Sequence, residues 1–319
     1  MEPSRWSICV SDRAEETLAG WRRRIDRELA RAASEGSELP APLRDAIHYS
    51  LTGEGKRLRG LLLMAAFDAV SSRHGSAAAN GGQGKSGEAS ALAAAVEVVH
   101  AYSLVHDDLP CMDDDHTRRG RPTTHKAFDV ATATVAGVAM VPLAVRQTMR
   151  GARELGLDPA DSNRLVGILM QASGASGMIG GQLLDLEGED KAVPASALEA
   201  IHRAKTGALI TAAVTMGGIA GRGTTDTVAA LTSVGESLGL AFQIADDVLD
   251  ATASSEALGK TAGRDAALAK STYVSTLGVT AARERGESLV ADAMARLKDA
   301  GLRTEPLERL AHFVAARRS

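Results

Sequence analysis

The sequence is poor in aromatic residues and in cysteine. Aromatic residues make up 3% of the 319 residues, whereas hydrophobic residues make up 45%. Because alanine favours helices and aromatic residues favour strands, this alanine-rich composition predicts an all-helical protein. The two cysteines, Cys9 and Cys111, are too few and too far apart for a disulfide framework or a zinc site, which is consistent with a reducing cytoplasm.

The chain also lacks a long apolar run, a signal peptide and a strong net charge. No run approaches the roughly 20 residues that a membrane-spanning helix needs. The N-terminus has no basic region followed by an apolar one. A formal net charge of -4 argues against a general nucleic-acid binder. We therefore expect a cytoplasmic protein without an integral membrane segment and without a nucleic-acid partner.

Charge is concentrated in one stretch, His100 to Lys126. Five aspartates lie within nine residues and three arginines follow at once. Mg2+ binds through one or two carboxylates together with substrate phosphates, and guanidinium groups suit phosphate oxygens. The stretch therefore suggests a metal-bridged diphosphate. Taken alone, a solvated charged loop is an equally good interpretation.

The residues before this acidic run favour the first interpretation. Ala91 to Val105 is apolar enough for a buried helix. On such a helix His100, Ser103 and Asp107 share one face. A polar stripe on a buried helix is costly without partners, so we predict that it lines a cavity.

Three other segments are ambiguous by themselves. In the basic turn Gly53 to Gly60, Lys56 and Arg59 lie three residues apart, but such turns are more often structural. Lys205-Thr206-Gly207 interrupts a predicted helix, which indicates either a kink that directs carbonyls to a site or close packing at glycine. Ser71 to Ser90 is low in complexity and is predicted to be a mobile loop.

A second acidic cluster occurs late in the chain. Gln243, Asp246 and Asp250 share one face of an apolar helix, and two lysines, Lys260 and Lys270, follow. Two acidic helices that face each other across a bundle could hold Mg2+ and stabilise a diphosphate leaving group. With apolar walls below, the implied chemistry is ionisation of an allylic diphosphate. No activated serine or cysteine nucleophile is evident.

These segments together resemble the motifs of the trans-isoprenyl diphosphate synthases, or polyprenyl synthetases, in the same order and across most of the chain. The matching motifs are Asp107-Asp108-Leu109-Pro110-Cys111-Met112-Asp113, Arg118-Arg119-Gly120, Gly55-Lys56-Arg57-Leu58-Arg59, Lys205-Thr206-Gly207, Phe242-Gln243 with Asp246-Asp247 and Asp250, and Lys270-Ser271-Thr272-Tyr273. The resemblance implies a bundle of mainly antiparallel helices around a deep cavity and one domain over residues 1–319. It also implies a homodimer that joins isopentenyl diphosphate to an allylic diphosphate.

The resemblance further implies a role for each matching residue. The Mg2+ site comprises the aspartates Asp107, Asp108, Asp113, Asp246, Asp247 and Asp250. The allylic diphosphate is bound by Arg118, Lys205, Lys260 and Lys270, and isopentenyl diphosphate by Lys56, Arg59, His100 and Arg119. The catalytic group is Lys205, Thr206, Gln243 and Lys260, in which Thr206 and Gln243 stabilise the carbocation. The departing pyrophosphate is expected to remove the final proton.

Product length is expected to depend on Tyr102 and Ser103. These residues lie about one helical turn, or about 5.4 Å, before Asp107, where a bulky side chain would close the cavity early. In the family an aromatic residue here accompanies a fifteen-carbon product. We therefore expect farnesyl diphosphate rather than geranylgeranyl diphosphate. If Tyr102 only packs in the core, the length is undecided.

The sequence departs from the family pattern near the site. Asp129-Val130 and Val138 replace a usual Gly-Glu pair and an aspartate, and Glu54 and Gly60 replace a usual glycine and proline. Two other functions therefore stay open. A terpene cyclase would need no second basic site for isopentenyl diphosphate. A non-catalytic partner subunit commonly loses aspartates from one cluster, whereas both clusters are present here.

Overall fold

The structure is a computed structural model that describes residues 12–35, 38–74, 89–188, 191, 193–252 and 271–315. Most of the predicted mobile loop, residues 75–88, lies outside the described residues, whereas Ser71 and Ser90 belong to helices. Lys260 and Lys270, both expected to bind the allylic diphosphate, also lie outside the described residues.

The described residues are almost entirely helical, which confirms the predicted fold class. The helices, in chain order, are α1 (Asp12–Ser34), α2 (Ala41–Leu51), α3 (Leu58–Ser71), α4 (Ser90–Asp107), α5 (Thr124–Ala127), α6 (Val130–Glu154), α7 (Pro159–Ser173), α8 (Met178–Glu187), α9 (Ala195–His202), α10 (Ala208–Ala220), α11 (Thr225–Thr252), α12 (Tyr273–Leu277), α13 (Val279–Asp299) and α14 (Glu305–Ala315). A 3-10 turn covers Ser72–His74, and a π-helical segment covers Arg203–Gly207. Two short antiparallel strands, β1 (Thr117–Arg118) and β2 (Arg121–Pro122), form a hairpin.

Helix α4 forms the centre of the bundle. Every residue from Ser90 to Val99 is buried, as the apolar sequence of this helix predicts. The helix packs most extensively against α6, and it also contacts α1 and α3. On the other side of the bundle α10 packs between α3 and α11, and α11 packs against α13. These contacts bring the ends of α4 and α11, which carry the two acidic motifs, into one bundle.

One departure from the family pattern has a structural role. The N–H of Gly60 donates to Oε1 of the buried Glu97 at 2.8 Å, where α3 meets α4. A proline at this position could not donate, because it has no N–H. Glycine therefore gives the buried Glu97 carboxylate a partner that the usual residue would withhold.

At Lys205-Thr206-Gly207 the structure shows the close packing at glycine that was the second of the two interpretations. The segment is π-helical, and it also packs closely against α11 through a pair of glycines. A Cβ added at Gly239 would lie 2.7 Å from the Cα of Gly207. Because neither glycine has a side chain, the two backbones approach closely enough for Thr206 to reach Gln243.

Two helices, α6 and α11, are long and apolar enough to cross a membrane by length and composition alone. Both pack in the bundle, with 33% of the most apolar window buried in α6 and 56% in α11. The buried residues of α6 include Gln147, Thr148 and Arg150, which would be costly to place in lipid. The packing therefore identifies both as helices of the bundle.

Candidate active site

The first acidic motif begins at the C-terminal end of α4. The expectation that each cluster lies on a helix is wrong for this one: Asp107 ends α4, Asp108 caps it, and Asp113 lies in the turns beyond. These turns fold back, since the N–H of Asp113 donates to the carbonyl of Asp107 at 2.8 Å. The turn thus returns Asp113 to the end of the helix that carries Asp107.

Asp107 lies in an unusual electrostatic environment. Burial raises the pKa of Asp107 to about 6, and the carboxylates of Asp113 and Asp108 raise it as well. The positive charges of Lys205 and Arg118 act in the opposite direction on the same pKa. Lys205 belongs to the π-helical segment next to α11, so the structure brings the first acidic motif close to the second half of the site.

The hairpin positions two arginines that the sequence places directly after the aspartates. Arg119 and Gly120 form its tip with positive φ angles of 53° and 73°. Arg118 Nη2 lies 2.6 Å from Oδ1 of Asp108 and 3.2 Å from Oδ2 of Asp115. The sequence predicted neither the hairpin nor the role of Asp115. Asp108 is thus engaged by an arginine, although burial still raises its pKa.

His100 lies among positive charges in the centre of the basic region. Burial lowers the pKa of His100 well below its usual value, and four arginines lower it further: Arg59, Arg119, Arg118 and Arg57. The neutral imidazole is therefore the favoured form. Three of the four residues expected to bind isopentenyl diphosphate, namely Arg59, His100 and Arg119, are thereby brought together.

The basic turn before α3 supports this cluster. Nη1 of Arg119 donates to the carbonyl of Glu54 at 2.5 Å, so the hairpin tip docks on the turn that contains Lys56. Nζ of Lys56 lies 5.5 Å from the ring centroid of Phe313. The guanidinium of Arg59 lies 5.9 Å from the ring of Phe242 on α11. No sequence motif indicated Phe313, because it lies far from the basic turn along the chain.

The second half of the site combines the π-helical segment with α11. Thr206 Oγ1 donates to Oε1 of Gln243 at 2.9 Å. Nε2 of Gln243 donates to Oδ1 of Asp247 at 3.0 Å. Asp246, about one helical turn beyond Gln243 on α11, is partly exposed, and Asp250, about two turns beyond it, is buried. The predicted catalytic pair of Thr206 and Gln243 is therefore in direct contact.

Asp185 on α8 is a site residue that was not predicted from the sequence. Its Oδ2 accepts a hydrogen bond from Nζ of Lys205 at 2.6 Å. A Cβ added at Gly181 would lie 2.2 Å from the backbone nitrogen of Lys205, so α8 approaches the π-helical segment at this glycine. Gly181 and Asp185 are four residues apart, so both lie on the face of α8 that meets Lys205.

Tyr102 and Ser103 occupy the stretch of α4 expected to set product length. Tyr102 is 6% exposed, and its ring meets that of His106 edge to face with centroids 5.2 Å apart. Ser103 is buried, and its hydroxyl donates to the carbonyl of His100 at 2.9 Å. Of the two, only Tyr102 has the bulk to limit a cavity.

The acidic residues are compatible with Mg2+. Among the described residues, no group of three His, Cys, Asp or Glu side chains is arranged to hold a metal by itself. Mg2+ usually retains waters and binds through one or two carboxylates and substrate phosphates, so such a group is not required. The buried carboxylate of Asp107, with Asp113 beside it, provides mutual repulsion that a cation would relieve. Their oxygen ligands are of the type that Mg2+ prefers.

The chain is similar to known proteins over most of its length. The sequence profile of the family described as polyprenyl synthetase matches residues 40–302. A farnesyl diphosphate synthase of Haemophilus influenzae is 40% identical over 310 residues, which cover 95% of this chain and 98% of the relative. Geranylgeranyl pyrophosphate synthase 7 of Arabidopsis thaliana is 38% identical over 284 residues, covering 88% of this chain and 78% of the relative.

A solved structure extends the comparison to the fold. The geranyltransferase of Helicobacter pylori, in a complex with magnesium and isoprenyl diphosphate, superposes with a TM-score of 0.77. It is 27% identical and covers 96% of this chain and 98% of its own. The helical bundle, with two acidic motifs and a basic region, thus defines an isoprenyl diphosphate synthase fold. The chain belongs to the polyprenyl synthetase family and is a short-chain prenyltransferase.

Proposed function

We propose that this prenyltransferase condenses isopentenyl diphosphate with dimethylallyl and then geranyl diphosphate, and releases farnesyl diphosphate. The observation that carries the choice of product is Tyr102, a buried aromatic side chain just over one helical turn before Asp107. A ring at this depth would stop the growing chain at fifteen carbons. Geranylgeranyl diphosphate is the second candidate, supported by the similarity to the Arabidopsis thaliana synthase.

The allylic diphosphate is proposed to bind between the two acidic motifs. Mg2+, when bound, would neutralise the negative charge that develops on the leaving diphosphate. Asp107 and Asp113 from the first motif and Asp246 from the second are its proposed ligands, with Asp108, Asp247 and Asp250 completing the acidic region. Arg118 and Lys205, whose charges both act on Asp107, would bind diphosphate oxygens. Lys260 and Lys270 are proposed as further ligands of the same diphosphate.

The residues of the π-helical segment would stabilise the carbocation. Thr206 gives its only hydroxyl proton to Gln243, so the lone pairs of the hydroxyl oxygen remain available to a positive charge. Lys205 is held by Asp185 and would exchange this partner for the diphosphate. The final proton would pass to the departing pyrophosphate, because the described site contains no activated serine or cysteine.

Isopentenyl diphosphate is proposed to bind at the basic region around His100. Lys56, Arg59 and Arg119 would contact its phosphate oxygens, and His100 would contribute a neutral N–H. The positive charges of the nearby arginines lower the pKa of His100. The same charges would attract an anionic ligand.

We further propose that the enzyme is a homodimer joined through α6. One stripe of this helix is apolar and exposed along about five turns, and it consists of Ala131, Val135, Val138, Pro142 and Met149. Val135 and Val138 are 53% and 59% exposed, respectively. The side chains that form this stripe are uncharged, and the exposed Arg146 lies at its edge, where it is paired with Glu35. Exposed apolar surface of this kind is unfavourable in water and can pack against its own copy about a twofold axis. Substitution of valine for the usual aspartate at position 138 extends this stripe.

The compartment and the domain organisation are proposed on simpler grounds. Cys111 is a free, exposed thiol within the first acidic motif, which suits a reducing compartment such as the cytoplasm. The family profile covers residues 40–302, which supports one polyprenyl synthetase domain across the chain.

Product analysis tests the proposed function. The purified protein is incubated with labelled isopentenyl diphosphate, Mg2+ and either dimethylallyl, geranyl or farnesyl diphosphate, and the dephosphorylated products are separated by chromatography. Farnesol from the first two primers, with little product from the third, is expected. Geranylgeraniol as the main product would favour the second candidate. A hydrocarbon formed from geranyl diphosphate alone would indicate a terpene cyclase, and activity only with an added synthase would indicate a partner subunit.

A further inference from the structure

Asp247 of the second acidic motif is bound within the protein through both oxygens of its carboxylate. It is 3% exposed, and both of its carboxylate oxygens accept hydrogen bonds. Oδ1 accepts from Nε2 of Gln243 at 3.0 Å, and Oδ2 accepts from the backbone N–H of Tyr273 at 2.8 Å. The side chain therefore connects two parts of the chain that are 26 residues apart.

The first of these contacts determines the orientation of the Gln243 amide. A carboxylate only accepts, so Gln243 must direct its NH2 group to Asp247 and its carbonyl oxygen to Thr206. Thr206 then has to donate its hydroxyl proton to Gln243. Without Asp247 the amide could rotate by half a turn, and the Thr206 hydroxyl could point its proton towards the substrate. The carboxylate thus determines which side of the threonine oxygen faces a developing cation.

The second contact anchors the segment that follows residues 253–270. Tyr273 is the first residue of α12, and its ring stacks on that of His202 with centroids 5.6 Å apart. The Tyr273 hydroxyl donates to Oε2 of Glu199 at 3.3 Å, and Nε2 of His202 lies 3.5 Å from Oδ2 of Asp247. Asp247 therefore lies where α9, α11 and α12 meet.

From this geometry we infer that Asp247 is a positioning residue and not a magnesium ligand. It orients Gln243, and through Gln243 it orients Thr206, while it fixes the start of α12. This assignment rests on the proposed function for its catalytic part, since Thr206 and Gln243 have to face the carbocation. Its structural part, the anchor at Tyr273, is independent of that function. The partly exposed Asp246, next in the sequence, has the opposite role as a proposed ligand.

The test compares Asp247→Asn with Asp246→Asn in the full-length protein. Asp226→Asn, an exposed aspartate in the first turn of the same helix, is the matched control. For each protein, kcat, the KM for both substrates and the Mg2+ concentration for half-maximal rate are measured. Hydrogen–deuterium exchange of residues 271–277 is followed without Mg2+, so that the anchor is observed independently of catalysis.

Asp247→Asn is expected to lower kcat about ten- to a hundredfold, since a hydrogen bond to a charged group is lost. The Mg2+ requirement and the KM for isopentenyl diphosphate should stay within about twofold of wild type, and exchange at residues 271–277 should become faster. Asp246→Asn should raise the Mg2+ requirement about tenfold or more and leave that exchange unchanged. Asp226→Asn should match wild type in every measurement.

A second variant separates the contact of Asp247 with Gln243 from its contact with Tyr273. It also provides a test if Asp247→Asn does not fold. Gln243→Leu should lower kcat without changing exchange at residues 271–277, and adding Asp247→Asn to it should lower kcat little further. An increase in the Mg2+ requirement of Asp247→Asn similar to that of Asp246→Asn, with unchanged exchange, would overturn the inference. A wild-type protein that forms no prenyl product would contradict the proposed function instead, while the exchange result would still decide the anchor.

Discussion

His106 lies between Tyr102 on its own helix and Gly137 on α6. Its ring meets that of Tyr102 edge to face, and its Nε2 donates to the carbonyl of Thr134 at 3.0 Å. A Cβ added at Gly137 would lie 2.2 Å from that same nitrogen. The imidazole therefore fills the space that the glycine leaves, and α6 supports the Tyr102 ring through His106.

Replacing Tyr102 by alanine is expected to lengthen the product. The substitution removes a buried ring at the proposed end of the cavity, so the chain could grow by at least one more isoprene unit to twenty carbons. Tyr102→Phe, which retains the ring, should still give mainly the fifteen-carbon product. Chromatography of the dephosphorylated products from geranyl diphosphate and labelled isopentenyl diphosphate measures both. If Tyr102→Ala still produced only farnesol, Tyr102 would not limit chain length.

Replacing Gly137 by alanine is expected to destabilise the protein. The new methyl group would overlap the His106 ring, and overpacking of this kind costs about 1–3 kcal/mol. Gly167 in α7 is the matched control, because a Cβ there would meet nothing within 4 Å. Gly167→Ala should therefore stabilise the protein by about 0.5–1 kcal/mol. Denaturant unfolding without substrates measures both changes, and equal effects of the two substitutions would show that the His106 contact is not restrictive.

The sequence predicted the helices well, because their signals are local. The apolar run from Ala91 to Val105 predicted a buried helix, and α4 extends it by one residue at the N-terminal end and by two at the C-terminal end. The turns after Asp107 and the hairpin at Arg118 were missed, since aspartates, arginines and glycine there gave no strand periodicity. Their geometry depends on the contacts of Arg118 and Arg119 with distant residues.

The site was predictable where chemistry is concentrated in short motifs. The motifs predicted Thr206 and Gln243 as site residues. In the structure the two are hydrogen bonded, although they are 37 residues apart in the sequence. Asp185 and Phe313 could not be assigned by the same reasoning, because each is a single residue whose importance arises from packing. Asp246 and Asp247 are adjacent aspartates of one motif, so the sequence could not distinguish their roles. The structure does: Asp247 is a buried hydrogen-bond acceptor, and Asp246 is a partly exposed carboxylate.

Removing a proposed metal ligand from either motif is expected to abolish turnover. Asp107→Ala and Asp246→Ala should each lower kcat about a thousandfold or more, because Mg2+ contributes several kcal/mol to stabilising the leaving group. Asp226→Ala on α11 serves as the control and should retain full activity. Rates are measured with labelled isopentenyl diphosphate at saturating Mg2+. A rate near that of wild type in either ligand variant would contradict the assignment of that residue.

The stability of the free enzyme is expected to depend on pH through His100. The folded-state pKa of His100 is lowered by burial and by the surrounding arginines, whereas an unfolded histidine has a pKa near 6.5. Below about pH 6.5 the unfolded chain therefore binds a proton that the folded protein excludes, and stability falls as the pH is lowered.

His100→Gln should weaken this dependence. Burial also lowers the pKa of His125, so part of the acid sensitivity should persist in the variant. Melting temperatures at pH 8 and pH 5.5, measured without substrates, give the difference for each protein. Between pH 8 and pH 5.5 the melting temperature of the variant should fall by less than that of wild type. Identical losses would show that protonation of His100 does not oppose folding.

A charge in the exposed stripe of α6 is expected to separate the proposed dimer. Val135 is 53% exposed and lies in the middle of the stripe, so Val135→Glu would place a carboxylate in the interface from each subunit. Burying two like charges without partners costs several kcal/mol, which corresponds to a dissociation constant raised about a hundredfold or more. Leu39→Glu, at an exposed leucine between α1 and α2, is the control. Sedimentation at micromolar concentrations should find dimers of wild type and of the control, and monomers of Val135→Glu; a dimer that survives in Val135→Glu would place the interface elsewhere.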